Sequence, residues 1–240
     1  MIDLSELILH IENILTDNEC DDLIDLINDR NTVFIQETCL EANISKVVTS
    51  SVDISYMIPR TKLFNLVNKK TNEAISLYEK HLTQFDAFFV SQLIKNFKYS
   101  HAYRLMKYTS GQNIHQHIDK GPDTFGSCTL NLNDDYKGGE FTFFKGQYQK
   151  KLKKGDALIF PASEFFVHGV NEVLNGVRYS VNSFLGNESA VVDKKNVDSY
   201  LHESCIKHDK KIELAVNFED NLKMGDSIYN PNINQFSYLL

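Results

Sequence analysis

Apolar residues recur along this chain in two rhythms. Up to about residue 99 the spacing is helical. Cys20, Leu23, Ile24 and Ile27 fall three and four apart, the interval that lines one stripe of an α-helix. Thr16 and Glu19 stand just ahead at capping-box spacing, where a hydroxyl and a carboxylate satisfy the first free amides of a helix. Leu63, Val67, Ala74, Ile75, Tyr78 and Leu82 repeat the pattern and predict a second helix over 61–82, with Pro59 just before its start. A third helical or mixed segment is expected over 87–97, and residues 8–14 read as a short strand ahead of the first helix.

After Ser100 the rhythm changes. Short runs rich in Tyr, Phe, Val and Ile alternate with Gly, Asn and Asp clusters. Strands are expected over 103–109, 113–119, 127–133, 140–144, 148–152, 157–160, 165–170 and 177–185. Gly138-Gly139 and Gly155-Asp156 mark turns. Many short strands at regular spacing suggest a sandwich or barrel. From about Asn187 the pattern weakens, with one helix expected over 192–206. The reading is mainly β with supporting helices: a helical and strand support region over 1–99, a β core over 100–187, and a C-terminal extension over 188–240.

Composition narrows the class. A chain of 240 residues, 42% hydrophobic, can bury one large core. The net charge of -7 argues against general nucleic-acid binding, so no nucleic-acid partner is expected. The basic stretch from Lys145 to Lys154 reads as a solvated hairpin or strand edge, where Lys discourages edge-to-edge pairing. Cys20, Cys39, Cys128 and Cys205 form no CxxC, against a zinc knuckle or a disulfide scaffold. The first residues carry Asp3, Glu6 and Glu12 and no basic, apolar leader, and no run reaches the ~18 apolar residues of a membrane span. A reduced, cytoplasmic protein with no membrane partner is expected.

The chemistry starts at His117-Ile118-Asp119. On a strand, residues i and i+2 point to one face, so an imidazole and a carboxylate converge. A second imidazole completes a facial triad that leaves three positions open on an octahedral metal, the arrangement of non-haem Fe(II) oxygenases. His168 is the candidate. For the His-x-Asp alone, a solvated turn in which the two residues merely pair is the plain alternative. Arg178 and Ser180 lie on the next apolar strand and share a face; a buried guanidinium clamps a carboxylate through two hydrogen bonds and a hydroxyl adds a third. A surface ion pair is the ordinary alternative for Arg178. His115 reads as a rim residue rather than a ligand, and His101 and Tyr103 as pocket lining or plain packing. His202, Cys205 and His208 lack a fourth ligand and read as non-metal. Phe141, Phe143 and Phe144 read as core and edge, and Lys120 and Asp123 as candidates for substrate contact.

Taken in order, Tyr108-Thr109-Ser110-Gly111, His117-Ile118-Asp119, Leu130-Asn131-Leu132-Asn133, Tyr136-Lys137-Gly138-Gly139-Glu140, Gly155-Asp156 to Pro161, His168-Gly169-Val170 and Gly176-Val177-Arg178-Tyr179-Ser180 resemble the catalytic core of the prolyl 4-hydroxylase-like 2-oxoglutarate/Fe(II) dioxygenases. The likeness covers about 100–187 and extends weakly over 8–30, where the run from Ile11 to Glu19-Cys20 resembles the family's opening. It implies a double-stranded β-helix, or jelly roll, packed on N-terminal helices. It implies Fe(II) on His117, Asp119 and His168, with 2-oxoglutarate and O2 as cosubstrates and L-ascorbate as a supporting reductant. The far carboxylate of 2-oxoglutarate falls to Arg178, where several relatives carry Lys, with Tyr108 beside it; Asn131 matches a further cosubstrate contact. Oxidative decarboxylation to succinate and carbon dioxide would accompany oxidation of the substrate. Relatives that halogenate lack the carboxylate found here as Asp119, so hydroxylation is expected.

The chain also departs from the family. It has no Trp, and residues 46–60 stand where collagen-type prolyl hydroxylases carry a different substrate-loop pattern. The leading expectation is hydroxylation of a side chain, prolyl first, in a protein or peptide partner. Oxygenation of a small molecule or nucleobase, a non-catalytic jelly-roll binding module and a zinc hydrolase are the alternatives. A broad groove near 120–125 and 46–60 favours the first, and a closed pocket the second.

Overall fold

The computed structural model describes residues 3–32, 34–43, 46–57, 61–85, 88–97, 99–119, 124–186, 227–230 and 235–238. A single 3-10 turn over Leu4–Leu7 leads into β1 (Leu9–Ile11). Helix α1 (Asp17–Asn28) begins at a complete capping box: the Thr16 hydroxyl accepts from the Glu19 amide, and the Glu19 carboxylate accepts from the Thr16 amide at 2.8 Å. Its stripe of Cys20, Leu23 and Ile27 is buried. Strands β2 (Ile35–Asn43) and β3 (Lys46–Tyr56) form an antiparallel pair. Helix α2 (Lys62–Leu82) is capped by Thr61 and buries Phe64, Val67, Ala74, Ile75, Tyr78 and Leu82. Helix α3 (Phe88–Asn96) follows.

The β core then runs through β4 (Tyr99–Tyr108), β5 (Ile114–His117), β6 (Gly126–Asn131), β7 (Lys137–Gly138), β8 (Phe141–Phe143), β9 (Tyr148–Lys150), β10 (Ala157–Pro161), β11 (His168–Val170), β12 (Val173–Asn175) and β13 (Arg178–Gly186). Two short strands, β14 (Ser227–Asn230) and β15 (Gln235–Tyr238), pair with each other.

The strands of the core are dealt to two main sheets, with β7 and β12 forming a short pair of their own. The larger has the order β1-β10-β6-β13-β4-β3-β2, the smaller β5-β11-β8-β9. This interleaving is the jelly roll. Its inner faces enclose the space between the sheets, while the outer face of the larger sheet is covered by α2. There Phe64 meets Tyr103 edge-on at 5.2 Å, and the Tyr78 hydroxyl donates to the Leu7 carbonyl at 2.7 Å. Residues from the first 99 thus serve the core directly, with β1 bonded to β10 and β3 to β4.

Several expectations need correcting. Residues 46–56, to which the sequence reading assigned no element, form a strand of the larger sheet, because Val52 and Ile54 alternate with Asp53 and bury one face while Asp53 stands opposite Lys107. The expected strand over 113–119 stops at His117, and that over 165–170 begins at His168, since residues 163–166 form a turn closed by Phe166 N–H on the Ser163 carbonyl at 2.9 Å. The basic stretch, by contrast, is a strand edge as expected: it contains β9, at the edge of the smaller sheet, and Lys154 pairs with Asp21. The helix expected over 192–206, the loop residues Lys120 and Asp123, and His202, Cys205 and His208 lie outside the described residues. Among the described residues no helix is long and apolar enough to cross a membrane.

Candidate metal centre

Strands β5 and β11 bring two histidines face to face. His117 is the Cα partner of His168, and their ring centroids lie 4.4 Å apart. Asp119 follows two residues beyond His117. One side-chain ligand atom from each of His117, Asp119 and His168 lies within 4.8 Å of the others, the only such trio of metal-capable groups among the described residues. His117 Nε2 is 3.3 Å from one Asp119 oxygen and His168 Nε2 is 3.3 Å from the other. His115 is not in the group, but its carbonyl serves it.

The pairing is irregular next to the site. His168 faces His117, yet Val170 faces Ile114, so three steps of β5 oppose two of β11. Such a bulge re-aims side chains. It presses the β5 backbone against Gly169, where a Cβ would stand 2.6 Å from the Ile114 carbonyl oxygen. Only glycine allows that approach.

The imidazoles are oriented from behind. His117 Nδ1 donates to the His115 carbonyl at 2.8 Å, and His168 Nδ1 to the Phe166 carbonyl at 3.0 Å. With Nδ1 engaged from behind, Nε2 of each ring is the atom that faces Asp119 and would meet a metal. Burial raises the Asp119 carboxyl's proton affinity. The charge on His168, hydrogen bonds with both imidazoles and the charge on His117 outweigh it and hold the carboxyl well below the usual range. The Ser127 hydroxyl on β6 donates to Asp119 Oδ2 at 2.5 Å. Phe143 lies against the His168 ring at 5.6 Å and Phe160 meets it edge-on at 4.6 Å, forming a dry wall.

Arg178 begins β13 opposite Tyr108 on β4. It is 1% exposed, with its guanidinium carbon 4.9 Å from the Tyr108 ring and 5.2 Å from the Phe141 ring. Nη1 reaches the Ser180 hydroxyl at 3.5 Å, while Nε and Nη2 have no hydrogen-bond partner among the described residues. A buried charge with idle donors is costly unless an anion meets it. The donor set therefore fits the pair it would have to hold: two neutral imidazoles and a carboxylate suit Fe(II), and a planar cation suits a dicarboxylate's far end.

Asn131 is placed differently from expectation. Its two Nδ2 hydrogens are taken by three carbonyls, those of Asn133 at 2.6 Å, Lys153 at 3.1 Å and Leu152 at 3.3 Å, with one N–H shared, and its Oδ1 accepts from the Tyr136 hydroxyl at 3.4 Å. With its amide so committed, it ties β6 to the turn before β10 instead of offering a donor to a cosubstrate. Tyr103 points to the outer face, bonded to Ser100 at 2.6 Å, and is packing rather than pocket lining. Ser127 and Gly169 escaped the reading of the sequence. No local pattern marks a serine eight residues beyond an aspartate, although the glycine adjoining His168 was a legible clue to close backbone approach.

Comparison with known proteins agrees with this geometry. Residues 103–186 match the family described as the 2OG-Fe(II) oxygenase superfamily. A PKHD-type hydroxylase of Rippkaea orientalis is 31% identical over 104 residues, which is 39% of this chain and 45% of the relative. The chain thus spans about half the length of the curated relative it matches. The fold is shared with a viral collagen prolyl hydroxylase from Paramecium Bursaria Chlorella virus-1, with a TM-score of 0.53 at 19% identity over 75% of this chain and 96% of that one. It is shared too with a Trichoplax adhaerens prolyl hydroxylase, solved in complex with a hypoxia inducible factor oxygen degradation domain peptide fragment, with a TM-score of 0.57 at 13% identity over 77% and 85% of the two chains. At such identities the structural likeness is one of fold. Over residues 103–186 the sequence is similar to the 2OG-Fe(II) oxygenase superfamily.

Proposed function

We propose that this protein is a 2-oxoglutarate- and Fe(II)-dependent dioxygenase that hydroxylates a side chain, prolyl first, of a protein or peptide. The observation that carries the reading is Arg178: a fully buried guanidinium on the inner face of the core, with two donors unmet among the described residues, in the same jelly roll as the His117, Asp119 and His168 trio. A zinc hydrolase has no use for such a group. The peptide substrate is supported by the Trichoplax neighbour, a prolyl hydroxylase in complex with a peptide.

His117, Asp119 and His168 would hold the iron, and Arg178 with Ser180 and Tyr108 the far carboxylate of 2-oxoglutarate. Bound together, the metal and cosubstrate supply the oxidising chemistry, in which 2-oxoglutarate and dioxygen give succinate, carbon dioxide and one oxygen atom to the substrate. The chain's own part is positioning. The His115 and Phe166 carbonyls hold the imidazole protons on Nδ1. Ser127 fixes the Asp119 carboxylate, and Phe143 and Phe160 keep water from His168. The Arg178 fork orients the cosubstrate by charge and geometry.

The test is succinate release from 2-oxoglutarate with Fe(II) and ascorbate, across a panel of proline-containing peptides, in wild type, His117→Ala and Arg178→Ala. Turnover stimulated by a peptide in the wild type and lost in both variants is expected. Absence of turnover together with absence of Fe(II)-dependent 2-oxoglutarate binding overturns the reading.

A further inference from the structure

We propose that Lys151 is a positioning residue of the cosubstrate pocket, clamping the bend from Tyr136 to Gly139 against the stem of Arg178 and adding a second positive charge behind the site for the far carboxylate; this rests on the oxygenase reading above. Within the basic stretch, Lys154 reaches out to Asp21 on α1, but Lys151 turns back onto the protein. Its ammonium stands 3.5 Å from the centre of the Tyr136 ring. It donates to the carbonyls of Tyr136 at 3.3 Å and Gly138 at 2.5 Å. A cation–π contact and two charge-assisted bonds thus tie one ammonium to one short piece of backbone.

That piece of backbone is a wall of the space around Arg178. Gly138 and Gly139 have φ of +76° and +68°, which glycine adopts without strain, and the chain folds back over the Tyr136 ring. A Cβ on Gly139 would stand 2.9 Å from the Tyr136 ring and 3.1 Å from Cδ of Arg178, so the backbone touches both. Tyr136 is held from behind as well: a Cβ on Gly176, two residues before Arg178, would lie 3.2 Å from its Cα, and its hydroxyl donates to Asn131 Oδ1. Strand β12 secures the same bend through Val173 opposite Gly138 and through the Glu172 carbonyl, which accepts from the Gly139 amide at 3.2 Å. Lys151 supplies the remaining tie, through carbonyls.

Charge gives the clamp a role beyond packing. Partial burial lowers the pKa of the Lys151 ammonium from the ordinary lysine value; Glu140 and Asp134 pull the other way, and the charge of Arg178 adds to the lowering. Two cations are thus held within range of each other, a repulsion that an anion on Arg178 relieves. Arg178 meets the carboxylate with its fork, whereas Lys151 acts through the bend and through its field. A ligand with a far carboxylate gains from both cations, and one without it gains from neither.

The test uses the full chain loaded with Mn(II), whose uptake by the trio is followed by electron paramagnetic resonance and reports that each variant is folded. Calorimetry then gives the Kd of 2-oxoglutarate and of 2-oxopentanoate, in which a methyl group replaces the far carboxylate. The wild type is expected to prefer 2-oxoglutarate about tenfold or more, the strength of a charge-assisted bond. Lys151→Met is expected to cut that preference about fivefold, as the loss of a partly screened charge does, with Mn(II) and 2-oxopentanoate bound as before. Lys151→Arg is expected to keep the preference, and Lys151→Gln to lose it as Lys151→Met does. A preference that survives Lys151→Met and Lys151→Gln overturns the proposal, as does an equal loss of affinity for both ligands. Failure of both variants to take up Mn(II) overturns it too, since Lys151 would then serve the fold rather than the pocket. Wild-type protein that binds neither ligand, or binds them alike, sinks the oxygenase reading and the role of Lys151 with it, whereas a wild-type preference untouched by the variants sinks only Lys151.

Discussion

His117 and His168 are Cα partners across the antiparallel pair of β5 and β11, and the bulge that begins beside them presses the Ile114 carbonyl to within 2.6 Å of where a Cβ on Gly169 would stand. The ligand geometry is therefore held by a backbone contact that only glycine permits. Gly169→Ala is expected to shift β5 or β11 and to destabilise the fold by about 1–3 kcal/mol, as overpacking does. Metal titration should show weaker binding even at temperatures where circular dichroism reports an intact β core. Unchanged metal affinity would show that the bulge does not aim His117.

Ser127 meets the metal trio through Asp119, whose Oδ2 accepts its hydroxyl. Ser127→Ala is expected to lower metal affinity about 10- to 100-fold, the usual cost of losing a group that orients a ligand. Melting temperature without metal should change little. Equal affinity in the variant and wild type would remove Ser127 from the site.

Arg178 separates binding from stability. Its guanidinium is buried with two idle donors among the described residues, so the free protein carries an uncompensated charge. Arg178→Met is expected to abolish 2-oxoglutarate binding while leaving the ligand-free protein within about 1 kcal/mol of wild type, since an apolar side chain of similar length replaces a poorly satisfied cation. Added 2-oxoglutarate at 100 times its Kd should stabilise wild type by about 2.7 kcal/mol and the variant not at all. Thermal melts with and without the ligand read both effects.

Cys20 and Cys128 are buried, and burial pushes each thiol up to about 12. At pH 8 both are therefore thiols rather than thiolates. Alkylation of the folded protein at that pH, mapped by mass spectrometry, should leave both unmodified, and denaturant should expose them. Rapid labelling of either in the native state would contradict the packing described for α1 or β6.

Local order was legible in the sequence wherever one residue's neighbours along the chain decide its state. Thr16 and Glu19 announced the start of α1, and the three-and-four spacing from Leu63 to Leu82 announced α2, because capping and helical stripes are set within a turn or two of backbone. The strand texture after Ser100 and the family motifs placed His117, Asp119, His168 and Arg178 on the page for the same reason: short strands and turns leave local marks. What the chain alone could not decide is which strands are neighbours. The meeting of His117 with His168, of Ser127 with Asp119 and of Arg104 with Phe184 and Tyr56 depends on how strands far apart in sequence are dealt to two sheets. Asn131 shows the limit from the other side. Its position in a motif suggested a cosubstrate contact, but the carbonyls of Leu152 and Lys153, more than twenty residues away, take its donors. Identity and local period fix what a residue is able to do; sheet register, a tertiary property, decides what it meets.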